Sequence, residues 1–436
     1  MNQAMKTMNT NRGFTLIEML VTMGLVIVVI MITSSAFNSI LKNTSKITSS
    51  EESNIEGVVG LEMFRHDLQQ IGFGLPHAYL SVPLAYSEAV VAPANTMNDA
   101  ATSPPVPRAV ASWESIAGGA DSTSETGKTY NVLSGTDYLA LKATTLGQSA
   151  AAQKWTFVAY SSGGKNPNTW LNTADNFKTS DKVIVLNRSF SATGQVTNTL
   201  MYDIDTPSSY WPSNPTANMN DVFNPANAMQ VNYLYGVSAD NAPHQLSMPF
   251  NRADYFVARP STTASIPTTC ATGVGILYKA NVNHADGKLT YYPLLDCVAD
   301  MQVVFGWDLN GNGVIDESGA YNSNVAMIPV SSTIGTTSAA IKAIMESPTD
   351  IRNKLRYIKV YLMVQEGRKD TNFTNTNNLL GNTLSIVVGE PGPTPPSNVS
   401  LTKGYTVAQL TANGWLNYRW KTYKIVVRPK NLASNY

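Results

Sequence analysis

Residues 12–32 read RGFTLIEMLVTMGLVIVVIMI. From Phe14 to Ile32 the only charged residue is Glu18. As a helix these residues would extend about 28 Å, close to the ~30 Å thickness of a bilayer's hydrocarbon core. Lys6 and Arg12 precede the run, which orients the N-terminus toward the cytoplasm. A carboxylate at that depth is costly and needs a partner, so the reading turns on what satisfies Glu18. A secretory signal peptide is the competing interpretation. Its apolar region would be shorter and would end at a small-x-small cleavage site, whereas here a helical pattern continues beyond Ile32.

Beyond the run, apolar residues fall at Phe37, Leu41, Ile47, Ile55, Val58, Leu61, Phe64, Leu68 and Ile71. Spacings of three, four and seven dominate the second half, the signature of an amphipathic helix. GFGLP at 72–76 supplies the stop. Gly57 and Gly60 weaken such a helix by up to ~1 kcal/mol each. The pattern therefore predicts one helix over 14–71, membrane-spanning below and amphipathic above.

The remainder reads as strands. Alternating, β-branched or aromatic runs occur at 137–143, 182–188, 230–237, 254–260, 273–280, 297–308, 355–365, 382–389 and 418–429. Stretches 91–128 and 203–226 are rich in Pro, Asn and Ser and read as long loops or insertions. A short helix is expected near Ile341–Glu346. The fold class is α+β: a long N-terminal helix packed on an enlarged antiparallel sheet.

Charged residues make up 14% of the chain, against roughly 25% in an average soluble protein, a habit of exported and assembled proteins. The formal net charge is +0; without residues 1–13, which carry Lys6 and Arg12 and no acid, 28 basic residues face 30 acidic ones. No nucleic-acid partner is expected from that balance. The two cysteines, Cys270 and Cys297, read as one disulfide if the chain is exported, or as a pair of buried thiols if it is not. Closing that loop would contribute ~3–4 kcal/mol in the chain-entropy model. His66, His77, His244 and His284 have no metal-spaced partners and read as surface, packing or loop residues. Catalytic templates are absent, so no enzymatic activity and no firm cofactor are expected.

One constellation stands apart. In WDLNGNGVIDESG (307–319), Asp308, Asn310, Asn312, the backbone of Val314 and Asp316 occupy positions 1, 3, 5, 7 and 9 of a calcium-loop template, with Gly313 at position 6. Position 12 is Gly319 where a bidentate Glu belongs. The alternative is a plain β-turn built on Asn310–Gly311 and Asn312–Gly313. Both readings, weak Ca2+ loop and turn, stay open.

RGFTLIEML resembles the processing site of a type IV prepilin. The resemblance implies a short basic leader (1–13), cleavage between Gly13 and Phe14 by a prepilin peptidase, methylation of the Phe14 amine, and an assembly role for Glu18. Glu18 would pair with a Phe14 ammonium, which fixes register more than it adds stability. The resemblance extends to PilW-type minor pilins through LEMFRHDLQQIGFGLP, CATGVGILYKA, PLLDCVADMQVVFGWDLNGNGVID, IRNKLRYIKVYLMVQEGRKD and YRWKTYKIVVRPKNL. It implies a transmembrane segment over 14–33, an amphipathic segment over 34–74 and a periplasmic or extracellular β-rich head over 75–436. It also implies residence in the inner membrane before assembly and in the pilus fibre or tip afterwards. The expected partners are other minor pilins and the major pilin, in a complex that primes the pilus. Two alternatives share the leader: a J-type pseudopilin of type II secretion, and a tip adhesin or DNA-capture subunit using the long loops.

Overall fold

The structure, a computed structural model, describes residues 15–79, 86–99, 106–113, 116, 119–122, 129–160, 166–190, 196–203, 210, 212, 214–217, 219, 221–228, 230–239, 246–261, 266–313, 315, 317–320, 328–332, 343–376, 384–389 and 402–432. Gly13 and Phe14 lie outside them. The chain divides into two compact units, Met1–Glu52 and Ser53–Tyr436. Helix α1 spans Leu16–Gln70, within two residues of the expected bounds. The described residues of the first unit are helical from Leu16 onward.

The second unit is built on β-sheet. A five-stranded sheet runs in the order β1 (Ala78–Tyr79), β8 (Val196–Leu200), β7 (Lys182–Phe190), β9 (Val231–Ser238), β6 (Trp155–Ala159). An eleven-stranded sheet follows the path β14 (Ile328–Ser332), β13 (Glu317–Ala320), β12 (Leu289–Trp307), β11 (Gly275–Val282), β10 (Asn251–Pro260), β4 (Thr129–Val132), β3 (Gly119–Ser122). Off that path, β5 (Tyr138–Ala143) joins β10 to β2 (Val110–Trp113), and β15 (Leu355–Glu366) joins β12 to β18 (Arg419–Val427). A separate pair, β16 (Ile386–Gly389) and β17 (Thr402–Tyr405), completes the set. Apart from the short β1–β8 pairing, which is parallel, the neighbours run antiparallel. The α+β class holds. Helix α2 (Pro348–Lys354), capped by the Ser347 hydroxyl, lies just beyond the short helix expected near Ile341–Glu346, of which residues 343–346 are helical. Helix α3 (Val407–Ala412) starts in a capping box of Thr406 and Gln409.

Within the second unit the last turns of α1 form one wall of the main core. Leu61, Phe64, Leu68 and Ile71 are buried, at the spacing the sequence announced. Phe64 stacks on Tyr255 of β10, ring centroids 4.1 Å apart. Val58 departs from the expectation: it is exposed, one residue off the buried stripe that runs through Gly57, Gly60 and Leu61. Gly60, read from sequence as a weak point, sits over the backbone of β12. A Cβ there would overlap the carbonyl oxygen of Leu294, so only glycine allows this approach. Gly72 and Gly74, both at positive φ, turn the chain out of the helix. The C-terminal segment returns to that end: Lys430 N–H donates to the Gln69 carbonyl, and Asn431 Nδ2 donates to that of Gln70.

The expected disulfide between Cys270 and Cys297 is present, Cα atoms 5.1 Å apart. Cys297 has φ 53°, where the pairing register of β12 shifts. The bridge lies against a second apolar cluster that includes Val274, Tyr405 and Trp415.

The stretch 91–128 differs from its loop reading. Among its described residues are a helical turn, Ala94–Met97, and strands β2 and β3. Two of its described charges are buried rather than solvated: Asp99 and Arg108 are paired and almost inaccessible. In 203–226 the described residues include a short helical turn, Asp221–Phe223, with Phe223 fully buried.

Candidate assembly site

Thr15 stands just ahead of the first turn of α1 and Glu18 lies three residues on. Glu18 Oε2 accepts from Thr15 N–H at 3.0 Å and from Thr15 Oγ1 at 3.0 Å, while Glu18 N–H approaches Thr15 Oγ1 at 3.4 Å. This is the reciprocal arrangement of a capping box: T-x-x-E satisfies helix-end donors that would otherwise face hydrocarbon. Thr15 is the residue that the sequence reading missed, although T-x-x-E before an apolar run is its signal. The local bonds provide the carboxylate with partners inside its own chain.

Leu16–Phe37, 22 residues, is long and apolar enough to cross a membrane, and none of it is buried within the chain. Its apolar side chains point outward on every side, from Leu16 through Met23 and Val29 to Phe37. A helix apolar all round needs an apolar surrounding, which is lipid or neighbouring helices. Polar side chains in the span serve their own backbone. Thr22 Oγ1 donates to the Met19 carbonyl at 3.0 Å, and Thr33 Oγ1 to that of Val29 at 2.7 Å. Such back-bonding satisfies both threonine hydroxyls within the hydrocarbon. Gly24 has open space where a side chain would be.

In the second unit the carboxylates are held by distant partners. Asp67, on the inner face of α1, accepts from the Tyr255 hydroxyl and pairs with Lys279 of β11. Burial, then the Asp67 charge, pushes the Tyr255 phenol well above its ordinary range. Asp300 of β12 accepts from Tyr405 Oη at 2.9 Å and lies 3.3 Å from Lys403 Nζ. His77 is half-buried, and desolvation, then the charges of Arg352 and Arg188, holds its imidazole at about 3. His284, also half-buried, is held at about 4 by desolvation, with Nε2 3.1 Å from Asn251 Oδ1. His66 is exposed, and His244 lies outside the described residues.

The calcium-loop candidates are partly described; Val314 and Asp316 are not. Asp308 is fully buried, and its two oxygens are engaged by the protein itself. Oδ1 accepts from the amides of Gly311 (2.7 Å) and Asn312 (3.1 Å). Oδ2 accepts from the Gly313 amide (2.8 Å) and from Arg356 Nη2 (2.8 Å). Asn310 Oδ1 accepts from the Asn312 amide at 2.9 Å. Among the described residues this geometry is a side-chain-capped turn with an arginine on its carboxylate. No cluster of three or more His, Cys, Asp or Glu ligands occurs among the described residues.

Residues 8–34 match the family model described as the prokaryotic N-terminal methylation motif. The comparison with curated proteins finds no match, and neither does the comparison with solved structures. The motif and the exposed apolar helix together support a type IV pilin-like or pseudopilin-like protein, a substrate of prepilin peptidase, anchored in a membrane before assembly.

Proposed function

We propose that the chain is a PilW-type minor pilin that helps prime type IV pilus assembly. Prepilin peptidase cuts between Gly13 and Phe14, the new amine is methylated, and α1 holds the subunit in the inner membrane until it joins other minor pilins and the major pilin. The role is structural. The complex it enters would start the fibre and remain at the tip, where an enlarged head is not constrained by a thin repeating lattice.

The observation that carries this reading is the T-L-I-E capping box at the start of an unpartnered apolar helix, inside the methylation motif. In the free subunit Glu18 is satisfied by Thr15. On assembly the same carboxylate can turn to the Phe14 ammonium of a neighbour, which ties helix register to processing. The test is to express the chain with its minor-pilin neighbours, isolate the membrane complex, identify what co-purifies and sequence the mature N-terminus. Minor pilins together with an N-methylated Phe14 are expected. Type II secretion components in their place would replace this reading with the J-type pseudopilin, and an intact leader in assembled material would defeat both.

A further inference from the structure

At the centre of the large sheet lies a charge cluster that the assembly role does not use. Lys142 on β5 has no exposed surface, and Glu88, Arg252 and Asp254 are almost as inaccessible. Lys142 Nζ is 2.9 Å from Glu88 Oε1, 2.7 Å from Glu88 Oε2 and 2.9 Å from Asp99 Oδ1. An amine that close to both oxygens of one carboxyl group can be no more than about 3.2 Å from its carbon, a near-attack separation. The Phe250 ring, its centroid 5.4 Å from Nζ, lies on the apolar side of the cluster.

The surroundings divide the acids into two roles. Burial, then the Asp99 charge, pushes the Glu88 carboxyl up, against the pull of Lys142 and Arg252. Burial also opposes ionisation of Asp99, but Lys142 and Arg108 hold it at about 2. Of the two acids Glu88 is thus the one more readily protonated, and Asp99, held ionised, is the base. Donors already converge on Glu88: Arg252 Nη1 reaches Oε2 at 2.8 Å, and the Asp99 amide reaches Oε1 at 2.9 Å. Asp99 is kept in place by Arg108 Nε at 2.9 Å and by the Tyr86 hydroxyl at 2.6 Å. Nucleophile, acyl group, base and oxyanion donors are thus within hydrogen-bonding distance of one another.

We propose that Lys142 and Glu88 condense into an intramolecular isopeptide bond. The Lys142 ammonium gives one proton to Asp99. The freed lone pair attacks Glu88 Cδ, and the oxyanion forms on Oε2 under Arg252. A second proton passes from nitrogen through Asp99 to the Glu88 hydroxyl, the C–O bond breaks and water leaves. The C–N bond is made, no oxidant is needed, and the remaining proton departs from Asp99 to solvent. Asp99 and Asp254 then face Arg108 and Arg252, so the cluster is left with two anions against two cations. The bond would link the segment before the Ala94–Met97 turn to β5, 54 residues away along the chain.

Mass spectrometry of the purified full-length chain decides the matter. A digest should yield a branched peptide joining Lys142 to Glu88, one water lighter than the sum of its two arms. Glu88→Gln should give the same branch with ammonia lost in place of water, and Lys142→Arg should give only linear peptides. Unmodified linear peptides covering Glu88 and Lys142 in the wild-type chain would overturn the proposal without any variant having to fold. A branch at Asp99 would overturn the assignment of Glu88 as the acyl donor.

Discussion

Glu18 and Asp67 are two carboxylates on the same helix with opposite solutions to the same problem. Glu18 is satisfied three residues away, by Thr15. Asp67 is satisfied by Lys279 and Tyr255, some two hundred residues along the chain. The first arrangement is the cheaper to undo, about 0.5–2 kcal/mol for a helix cap, and the freed carboxylate can take another donor. The second holds helix to sheet within one domain, and undoing it strands a buried ammonium. A carboxylate with local bonds is free to serve assembly, whereas one with long-range bonds serves the fold.

The sharpest way to break that comparison is Glu18→Val. Incorporation into isolated fibres or the membrane complex should fall to background, while membrane insertion and the head's melting temperature stay unchanged. Wild-type incorporation would remove Glu18 from the assembly site. Asp67→Ala should do the reverse: it should cost the head about 3–5 kcal/mol, because Lys279 is left uncompensated. The double variant Asp67→Leu/Lys279→Met should recover most of this in urea titrations. Equal losses in the single and double variants would show that the ion pair is not the cause.

Smaller effects sharpen the picture of the head. Cys270→Ser/Cys297→Ser should lower stability by about 2–4 kcal/mol through the loosened unfolded state, read as a shifted urea midpoint. Acid should weaken the head as well. His77 and His284 are held at about 3 and about 4 in the folded state, so each binds fewer protons folded than unfolded. Stability should therefore fall as pH drops from about 6.5 through those values. His77→Gln and His284→Gln should flatten the slope between pH 6.5 and 4; an unchanged slope would assign acid sensitivity to other groups. At the low end, Val59→Ser on the exposed side of α1 should change the head's midpoint by no more than ~0.5 kcal/mol.

Much of the architecture was legible because it rests on local periodicity. The bounds of α1, the disulfide and strands such as β5, β7, β9, β10, β15 and β18 follow from hydrophobic spacing and residue type. What was not legible depends on distant partners. The segment holding Asp99 and Arg108 looked like solvated loop because its charges meet Glu88, Lys142 and Arg252 only in three dimensions. Strands β2, β3, β4 and β17 are four residues each, too short for alternation to register. Gly60 looked like a flaw until the Leu294 carbonyl appeared beside it. At the candidate site, the sequence announced Glu18 by its cost, but Thr15 emerged only from the bond it makes. Asp308 shows the opposite lesson: a sequence pattern for calcium encloses a carboxylate that Arg356 already holds.

The Gly60 contact also has a mechanical meaning. With no side chain between them, the helix rests directly on the peptide plane of Leu294, leaving no compressible layer. A load on the last turns of α1 would pass at that point directly into β12, the longest of the described strands.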